Sequence, residues 1–189
     1  MTGGHHYHDE EERRTWQNPE SILALIGLSA GQTFVDVGCG DGFFALPAAR
    51  IVGPLGRIIG IDIDADALDR LRREAVREGL ENIFLHHGPA EEIILCSICA
   101  DVIFFGIDLH DFDDPARVLE RAREMVKPAG VVVDLDWRKE MQPFGPPFEK
   151  RFSVEYAVSL MERAGLRVES VAESGIYHYI ILARPTREA

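Results

Sequence analysis

The sequence predicts an α/β fold built on a doubly wound, mostly parallel sheet of seven strands that ends in a C-terminal antiparallel hairpin. Short apolar runs alternate with segments of helical periodicity between residues 33 and 136, and this alternation is typical of successive βαβ units. The last two apolar runs are joined only by a short turn around Ser174 and Gly175. A connection this short makes two strands antiparallel.

Apolar runs and capping residues set the bounds of the predicted elements. The predicted strands cover residues 33–38, 57–62, 82–87, 100–106, 130–136, 166–173 and 174–184. Asn18 followed by Pro19 is typical of a helix N-terminus, and Gly79 is typical of a helix C-terminus. The predicted helices cover residues 19–26, 43–52, 65–78, 115–127 and 154–164. Pro47 lies inside the second helix, where it is expected to remove one internal hydrogen bond and to kink the helix.

Length and composition favour one domain, residues 1–189, in which residues 1–17 form a flexible leader or lid. The chain is 46% hydrophobic and 28% charged, which is ordinary for a folded globular protein. Its longest apolar stretch, residues 93–109, contains Ser97 and Asp101 and is shorter than the roughly 20 residues that a membrane-spanning helix needs. The polar N-terminus has no apolar signal-peptide core, so a cytoplasmic protein without a membrane partner is expected.

The formal net charge of −12 makes nucleic acid an unfavourable partner, because an acidic surface repels phosphate groups. The arginines are scattered over predicted helix faces and form no concentrated basic patch. A small-molecule partner is therefore expected, and a homodimer stays open.

A glycine-rich turn follows the first predicted strand. Gly38, Gly40 and Gly42 let the backbone turn sharply and approach a ligand closely. In an open α/β sheet, ligands bind beyond the carboxyl ends of the strands, where the strand order reverses. Asp62 ends the second strand about 20 residues further on, where a carboxylate can accept hydrogen bonds from ribose hydroxyls. A tight strand-to-helix turn without any ligand is the alternative.

The spacing of this turn distinguishes between two nucleotide cofactors. A dinucleotide site uses G-x-G-x-x-G, and here Phe43 stands where the third glycine belongs. Asp36 would place a negative charge near a pyrophosphate, whereas it would suit a cofactor with an ammonium and a sulfonium group. The alternative for Asp36 is a carboxylate that caps turn amides. The alternative for Asp62 is the N-cap of the next helix, a role that Asp64 fits better.

Four segments in sequence order resemble the class I S-adenosylmethionine-dependent methyltransferases, a family with a Rossmann-like fold. They are VDVGCGDG (35–42), IIGIDIDADAL (58–68), HHGPAEEI (86–93) and ADVIFFGIDLHDFDDPARVLERAREMVKPAGVVV (100–133). The tail also resembles a compact bacterial and archaeal group of type 11 methyltransferases. The resemblance implies S-adenosylmethionine as the cofactor and a methyltransferase as the enzyme class.

The resemblance also implies which residues hold the cofactor. They are Asp36, Gly38, Cys39, Gly40, Asp62, Ile63, Ala90, Glu91, Gly106 and Ile107. The glycine turn would surround the methionine part, Asp62 would hold the ribose, and Ile63 would lie against the adenine; residues 106–107 would lie beside the sulfur. Many relatives carry Asp at the position of Pro89, which cannot accept a hydrogen bond from the adenine amino group. Either Glu91 accepts it instead, or the Ala90 backbone and stacking hold the ring.

Methyl transfer is an in-line displacement in which the cofactor supplies the reactive carbon, so the protein mainly has to position the acceptor. A general base is needed only if the acceptor must lose a proton. His110 and Asp108, after the fourth strand, are the candidate catalytic residues, and for His110 the alternative is packing over the cofactor. Asp111 and residues 136–138 are further candidates for the acceptor pocket.

No metal site is predicted. His5, His6 and His8 are clustered in the leader, and the pair Cys96 and Cys99 supplies only two of the four ligands that structural zinc needs. The two cysteines are expected to be partly buried thiols. The alternative is a site for a thiophilic acceptor such as trivalent arsenic.

Three functional hypotheses follow. The leading one is methyl transfer from S-adenosylmethionine to a small-molecule acceptor. A second is a protein that binds S-adenosylmethionine or its demethylated product, S-adenosylhomocysteine, without chemistry. A third, an oxidoreductase that uses NAD or NADP, is disfavoured by Phe43 and Asp36.

Overall fold

The computed structural model describes residues 10–186, with side chains described for residues 13–186. The helices are α1 (Glu10–Trp16), α2 (Pro19–Leu25), α3 (Ala45–Val52), α4 (Ala65–Glu78), α5 (Pro115–Met125) and α6 (Val154–Arg163). The strands are β1 (Thr33–Val37), β2 (Arg57–Asp62), β3 (Ile83–His87), β4 (Ala100–Gly106), β5 (Val126–Trp137), β6 (Leu166–Ser174) and β7 (His178–Pro185). A 3₁₀ turn, Leu109–Asp111, follows β4. Within residues 10–186, no helix has the length and apolar character needed to cross a membrane.

All seven strands form one sheet in the order β3-β2-β1-β4-β5-β7-β6. The first five are parallel, and β7 runs antiparallel to both β5 and β6. The predicted fold class is therefore confirmed, including the C-terminal hairpin. From β1 the chain moves outward to β2 and β3 and then returns to β4 on the other side, so the strand order reverses between β1 and β4. A crevice for a ligand forms at such a point.

Helices cover both faces of the sheet, because successive residues of a strand point to opposite faces. Phe34 of β1 and Phe104 of β4 face the layer that contains α2, α3 and α4, and their ring centroids lie 5.6 Å apart. Val35 and Ile103, which are adjacent to them on those strands, face α5 and α6. Burial on both faces explains why these strands appear in the sequence as nearly continuous apolar runs.

The predicted caps are observed, but one expectation about a helix interior is wrong. The Asn18 side chain accepts a hydrogen bond from the Ser21 N–H at 2.8 Å, and Gly79 ends α4 in the left-handed region with φ +68°. Pro47 was expected to cost α3 a hydrogen bond. Because α3 begins at Ala45, Pro47 lies in the first turn, where a backbone N–H has no intrahelical partner to lose.

The boundary between α5 and β5 also differs from the expectation. The helix ends at Met125, two residues before its predicted end, and β5 begins at Val126. Val126 pairs with Ala100, and regular pairing resumes only at Val131 with Val102, so residues 127–130 form an irregular bulge. Proline, which cannot donate a ladder hydrogen bond, is tolerated in such a bulge and here occupies position 128.

We expect Leu71→Ala to lower the free energy of unfolding by about 2–5 kcal/mol, the usual cost of truncating a buried leucine. Leu71 is 0% exposed on the inner face of α4. Val76→Ala is the matched control, because Val76 lies on the same helix with 75% exposure and its truncation should cost about 0.5 kcal/mol or less. Urea unfolding of both variants measures the difference. Equal losses in the free energy of unfolding would contradict the placement of Leu71 on the buried face of α4.

Candidate functional site

A pocket of about 440 Å³ opens at the carboxyl ends of β1, β2 and β4. This volume lies in the range of small-molecule sites in proteins. Of the residues expected to hold a cofactor, the pocket is lined by Asp36, Gly38, Cys39, Gly40, Asp62, Ile63, Gly106 and Ile107. The structure therefore brings together the residues predicted around the methionine part, the ribose and the sulfur.

The glycine turn is fixed to its neighbours by hydrogen bonds and by close packing. The backbone N–H groups of Gly38 and Cys39 both donate to the carbonyl of Ile61, at 2.8 and 3.1 Å. Gly42 has φ +102°, and a Cβ there would lie 2.4 Å from Cδ1 of Leu71. The turn thus lies directly on α4, at a position where only glycine fits.

Asp62 holds the turn from the end of β2. Its Oδ2 accepts a hydrogen bond from the Gly40 N–H at 2.7 Å, and its Oδ1 accepts one from the Asp64 N–H at 2.8 Å. The N-cap of α4 is Asp64, whose Oδ1 accepts from the N–H groups of Asp66 and Ala67 at 2.9 and 3.1 Å. The expectation that Asp64 and not Asp62 caps this helix is confirmed. Each Asp62 oxygen keeps a second lone pair for a ribose hydroxyl.

Asp36, next to last in β1, is 2% exposed. Its Oδ2 is buried without a hydrogen-bond partner among the described residues. Burial raises the pKa of Asp36 to about 8, with a contribution from Asp62, and the positive charge of Arg13 opposes the rise. Asp36 is therefore largely protonated at neutral pH in the absence of a ligand.

Arg13 was not identified from the sequence. It belongs to α1 and lines the pocket, with its guanidinium 3.8 Å from the centroid of the Phe43 ring. Its positive charge acts to lower the pKa of Asp36 and also the pKa of His178, the first residue of β7. Residues 9–14 are all charged and have no apolar periodicity, so nothing in the sequence distinguishes Arg13 from its neighbours.

Asp108, one of the two candidate catalytic residues, lines the pocket directly above the glycine turn. A Cβ built on Gly38 would lie 2.0 Å from Asp108 Oδ2. Both carboxyl oxygens of Asp108 are buried without a hydrogen-bond partner in the described part of the chain. Burial, and then the charge of Asp36, hold the pKa of Asp108 well above its ordinary value.

His110, the other candidate, does not line the pocket. Its Nδ1 lies 2.7 and 2.9 Å from the two carboxyl oxygens of Asp136, and its Nε2 lies 3.5 Å from Oδ2 of Asp111. Burial lowers the pKa of His110, but the hydrogen bond and charge of Asp136 outweigh burial, so the net shift is upward. Asp111 lines the pocket and pairs with Lys150 at 3.0 Å. His110 Nε2 makes no hydrogen bond with the described residues, so Asp111 lies beside it without joining it to the pocket.

An aromatic cluster lies beside the pocket at the same edge of the sheet. Trp137 ends β5 and is paired with His178 at the start of β7, and their ring centroids are 4.4 Å apart. Trp16 of α1 stacks on His178, with centroids 5.4 Å apart. Arg151 is buried and donates to the carbonyls of Glu140, Phe144 and Pro146 at 2.8–2.9 Å, which fixes the segment between β5 and α6. Sequence reasoning identified Trp137 and assigned His178 to sheet packing, but missed Arg151.

Two residues predicted to contact adenine lie outside the lining of the pocket. Ala90 is 6% exposed in the core beneath α5. Glu91 lies against α5, where its side chain accepts a hydrogen bond from the Asp114 N–H at 3.4 Å. Their contact with adenine stays a prediction.

Cys96 and Cys99 form a disulfide, so the expectation of free thiols is wrong. The pair immediately precedes β4, whose carboxyl end lines the pocket. A seven-residue strand is about 20 Å long, which places the disulfide at the opposite edge of the sheet. This position excludes the two cysteines as an acceptor site beside the cofactor sulfur. His5, His6 and His8 lie outside the described residues.

Residues 28–166 match a family model for a methyltransferase domain. Two curated relatives are demethylmenaquinone methyltransferases. The relative from Halalkalibacterium halodurans is 28% identical over 142 residues, and that from Staphylococcus aureus is 27% identical over 146 residues. These matches cover 75% and 77% of this chain but only 56% and 58% of the relatives. The chain therefore spans little more than half the length of these relatives.

Two solved structures are also similar. A SAM dependent methyltransferase from Aquifex aeolicus is 29% identical with a TM-score of 0.86, and the match covers 94% of this chain and 98% of that one. A type 11 methyltransferase from Sulfolobus solfataricus is 23% identical with a TM-score of 0.72, over 92% and 94% of the two chains, and shows the shared fold. The family match and the Aquifex aeolicus structure confirm the resemblance found in the sequence, and with it S-adenosylmethionine as the cofactor. The chain belongs to the methyltransferase-domain family, as a class I S-adenosylmethionine-dependent methyltransferase.

Proposed function

We propose that the protein transfers a methyl group from S-adenosylmethionine to a small-molecule acceptor. The observation that carries the proposal is the convergence of the glycine turn, Asp62 and Asp36 on one pocket of about 440 Å³. This set suits the family cofactor, because one end offers a carboxylate to ribose hydroxyls and the other offers carboxyls to a cationic amino acid. The bound cofactor supplies an electrophilic methyl group on a sulfonium, and the chain supplies binding and orientation.

The position of each residue suggests its role. Asp62 binds the ribose, and Ile63, which is 72% exposed beside it, offers an apolar surface to the adenine. The glycine turn surrounds the methionine part. Gly106 and Ile107, at the end of β4, lie beside the sulfur.

The acceptor approaches from the side of β5. Ile107 at the pocket wall donates its N–H to Leu135 of β5 at 2.7 Å, so β5 is the strand next to the sulfur position. Asp108 and Asp111 line the pocket there, and the aromatic cluster around Trp137 lies beyond them. A small molecule placed in this region is held in line with the methyl group.

We assign His110 as a positioning residue. Its imidazole is held by Asp136 and does not line the pocket. Where the acceptor must lose a proton, a carboxylate that lines the pocket accepts it rather than His110. The acceptor named for the curated relatives, demethylmenaquinone, is one candidate to test. The acidic net charge of −12 favours a small molecule over nucleic acid as the acceptor.

We expect Asp62→Ala to weaken the binding of S-adenosylhomocysteine about 10- to 100-fold, the loss that follows from removing hydrogen bonds to a charged group. Asp66→Ala is the matched control, since Asp66 is exposed in the first turn of α4 and does not line the pocket. Titration calorimetry measures both affinities. Equal affinities in wild type and Asp62→Ala would contradict the assignment of the ribose site.

Turnover tests the function itself. The protein is incubated with S-adenosylmethionine and, separately, with dialysable small molecules, proteins or nucleic acids from a cell extract, and with demethylmenaquinone. We expect S-adenosylhomocysteine to form above the acceptor-free rate only with small molecules, and Asp62→Ala to abolish the increase. Binding without turnover in any arm would support a cofactor-binding protein without chemistry, and methylation of protein or nucleic acid would overturn the acceptor class.

A further inference from the structure

Cys96 and Cys99 form a disulfide that the proposed methyl transfer does not use. The two cysteines are three positions apart in the sequence. A disulfide stabilises a fold mainly by restricting the unfolded chain, and this effect grows with the length of the loop that it closes. Because this loop is very short, the crosslink contributes little to the stability of the fold.

The disulfide lies at a surface that a thiol can reach. Both cysteines are half-buried, and Ser97 and Ile98 between them are exposed. Ser97 and Ile98 line a surface groove of about 620 Å³ together with Ile94. Cys99 packs against the core beneath α5, which leaves the sulfur of Cys96 as the better target for a thiolate. Exposed disulfides are the ones that exchange readily with thiols.

Ile98 adopts a backbone conformation that costs free energy. Its φ of +53° lies in the left-handed region, which a β-branched residue rarely adopts. Within the described part of the chain, the other non-glycine residue with a positive φ is Ile107 in the cofactor pocket. Ile98 is 56% exposed, so close packing of its side chain does not impose this conformation. Backbone strain persists only where the surrounding structure enforces it.

The crosslink and two backbone hydrogen bonds hold Ile98 in this conformation. The N–H of Ile98 donates to the carbonyl of Glu124 at 3.1 Å, and the N–H of Cys99 donates to that of Met125 at 2.9 Å. These bonds join the loop to the end of α5, immediately before β5 begins. With the disulfide open, only these hydrogen bonds oppose the relaxation of Ile98, so reduction favours release of the loop from α5.

We propose that Cys96 and Cys99 are a reversible redox pair, which a dithiol reductant opens and which releases residues 96–99 from the end of α5 when it is reduced. The proposal goes beyond methyl transfer and does not depend on it. It assigns to the chain a site of covalent modification at the edge of the sheet opposite the cofactor pocket.

The reaction is a thiol–disulfide exchange in two steps. A thiolate of the reductant attacks the sulfur of Cys96, the S–S bond of the protein breaks, and the electron pair leaves on the sulfur of Cys99. The second thiolate of the reductant then attacks its own sulfur in the mixed disulfide and expels the Cys96 thiolate. Two electrons pass to the protein, the reductant becomes a cyclic disulfide, and the protons of its two thiols end on the two cysteines.

The released loop directly precedes an isolated strand pair. Ala100, the first residue of β4, follows Cys99 and pairs with Val126, the first residue of β5. Regular pairing between these strands resumes only at Val102 with Val131. Reduction is therefore expected to loosen the pair of Ala100 and Val126 as well, while the carboxyl ends of the strands keep their structure.

The first test is a redox titration of the folded full chain in mixtures of reduced and oxidised dithiothreitol. Free thiols are alkylated, and peptide mass spectrometry measures the fraction of chains in which Cys96 and Cys99 are crosslinked. We expect a reversible transition between dithiol and disulfide in the absence of denaturant. A disulfide that dithiothreitol reduces only after unfolding in urea would overturn the proposal, and so would a pair that stays reduced at every ratio.

Ile98→Asn tests whether the strain belongs to the disulfide form. Asparagine adopts the left-handed region at a lower cost than isoleucine, so the variant should shift the equilibrium towards the disulfide about 3- to 10-fold. Ile94→Asn is the matched control, because it removes an isoleucine from the same groove at a position outside the left-handed region. It should leave the equilibrium unchanged. Equal shifts in both variants, or no shift in either, would overturn the proposal.

Hydrogen exchange on the oxidised and the reduced protein tests the release of the loop. We expect the amide protons of Ile98 and Cys99 to exchange at least about tenfold faster in the reduced protein, because their hydrogen bonds to α5 open more often. The Gly38 amide, at the opposite edge of the sheet, is the internal control. The double variant Cys96→Ser with Cys99→Ser should exchange like the reduced protein, with or without dithiothreitol. The same exchange rates in the oxidised and the reduced wild type would overturn the proposal.

Discussion

The burial of the Asp36 carboxyl at the end of the central strand is the constraint on which the site depends. β1 lies between β2 and β4, and this position leaves Asp36 2% exposed. A buried acid must either hold a proton or face a positive charge, because an isolated carboxylate is costly away from water. A cationic ligand would supply that positive charge, and this is the basis of our proposal that Asp36 favours a cationic cofactor.

The residues packed around the glycine turn fix the shape of the pocket next to Asp36. The glycine turn is held against β2 by Ile61 and against α4 by Leu71, so the pocket wall is set by the core and not by a free loop. Asp62 uses both of its oxygens to fix this turn and still faces the pocket. The same hydrogen bonds that stabilise the fold thus pre-position the groups that would hold the ribose, which lowers the ordering cost of binding.

Local signals in the sequence predicted most of the fold, because apolar runs, caps and glycines act over a few residues, and Asp64 as the N-cap of α4 is an example. The fold in turn brought most of the predicted cofactor residues to one pocket. What the sequence did not reveal depends on distant contacts. The approach of Asp108 to Gly38 requires β4 to lie beside β1, and Arg13 reaches the pocket only through the packing of α1. The early start of β5 likewise follows from its pairing with β4.

The charge state of Asp36 is the most direct test of the central claim. Carboxyl groups labelled with ¹³C at aspartate can be titrated by NMR in the ligand-free protein and in its complex with S-adenosylhomocysteine, with Asp36→Asn to assign the resonance. We expect the pKa of Asp36 to be about 8 in the free protein and to fall in the complex. A pKa in the ordinary aspartate range in the free protein, unchanged by the ligand, would contradict the view that a buried acid at the end of β1 selects the cationic cofactor.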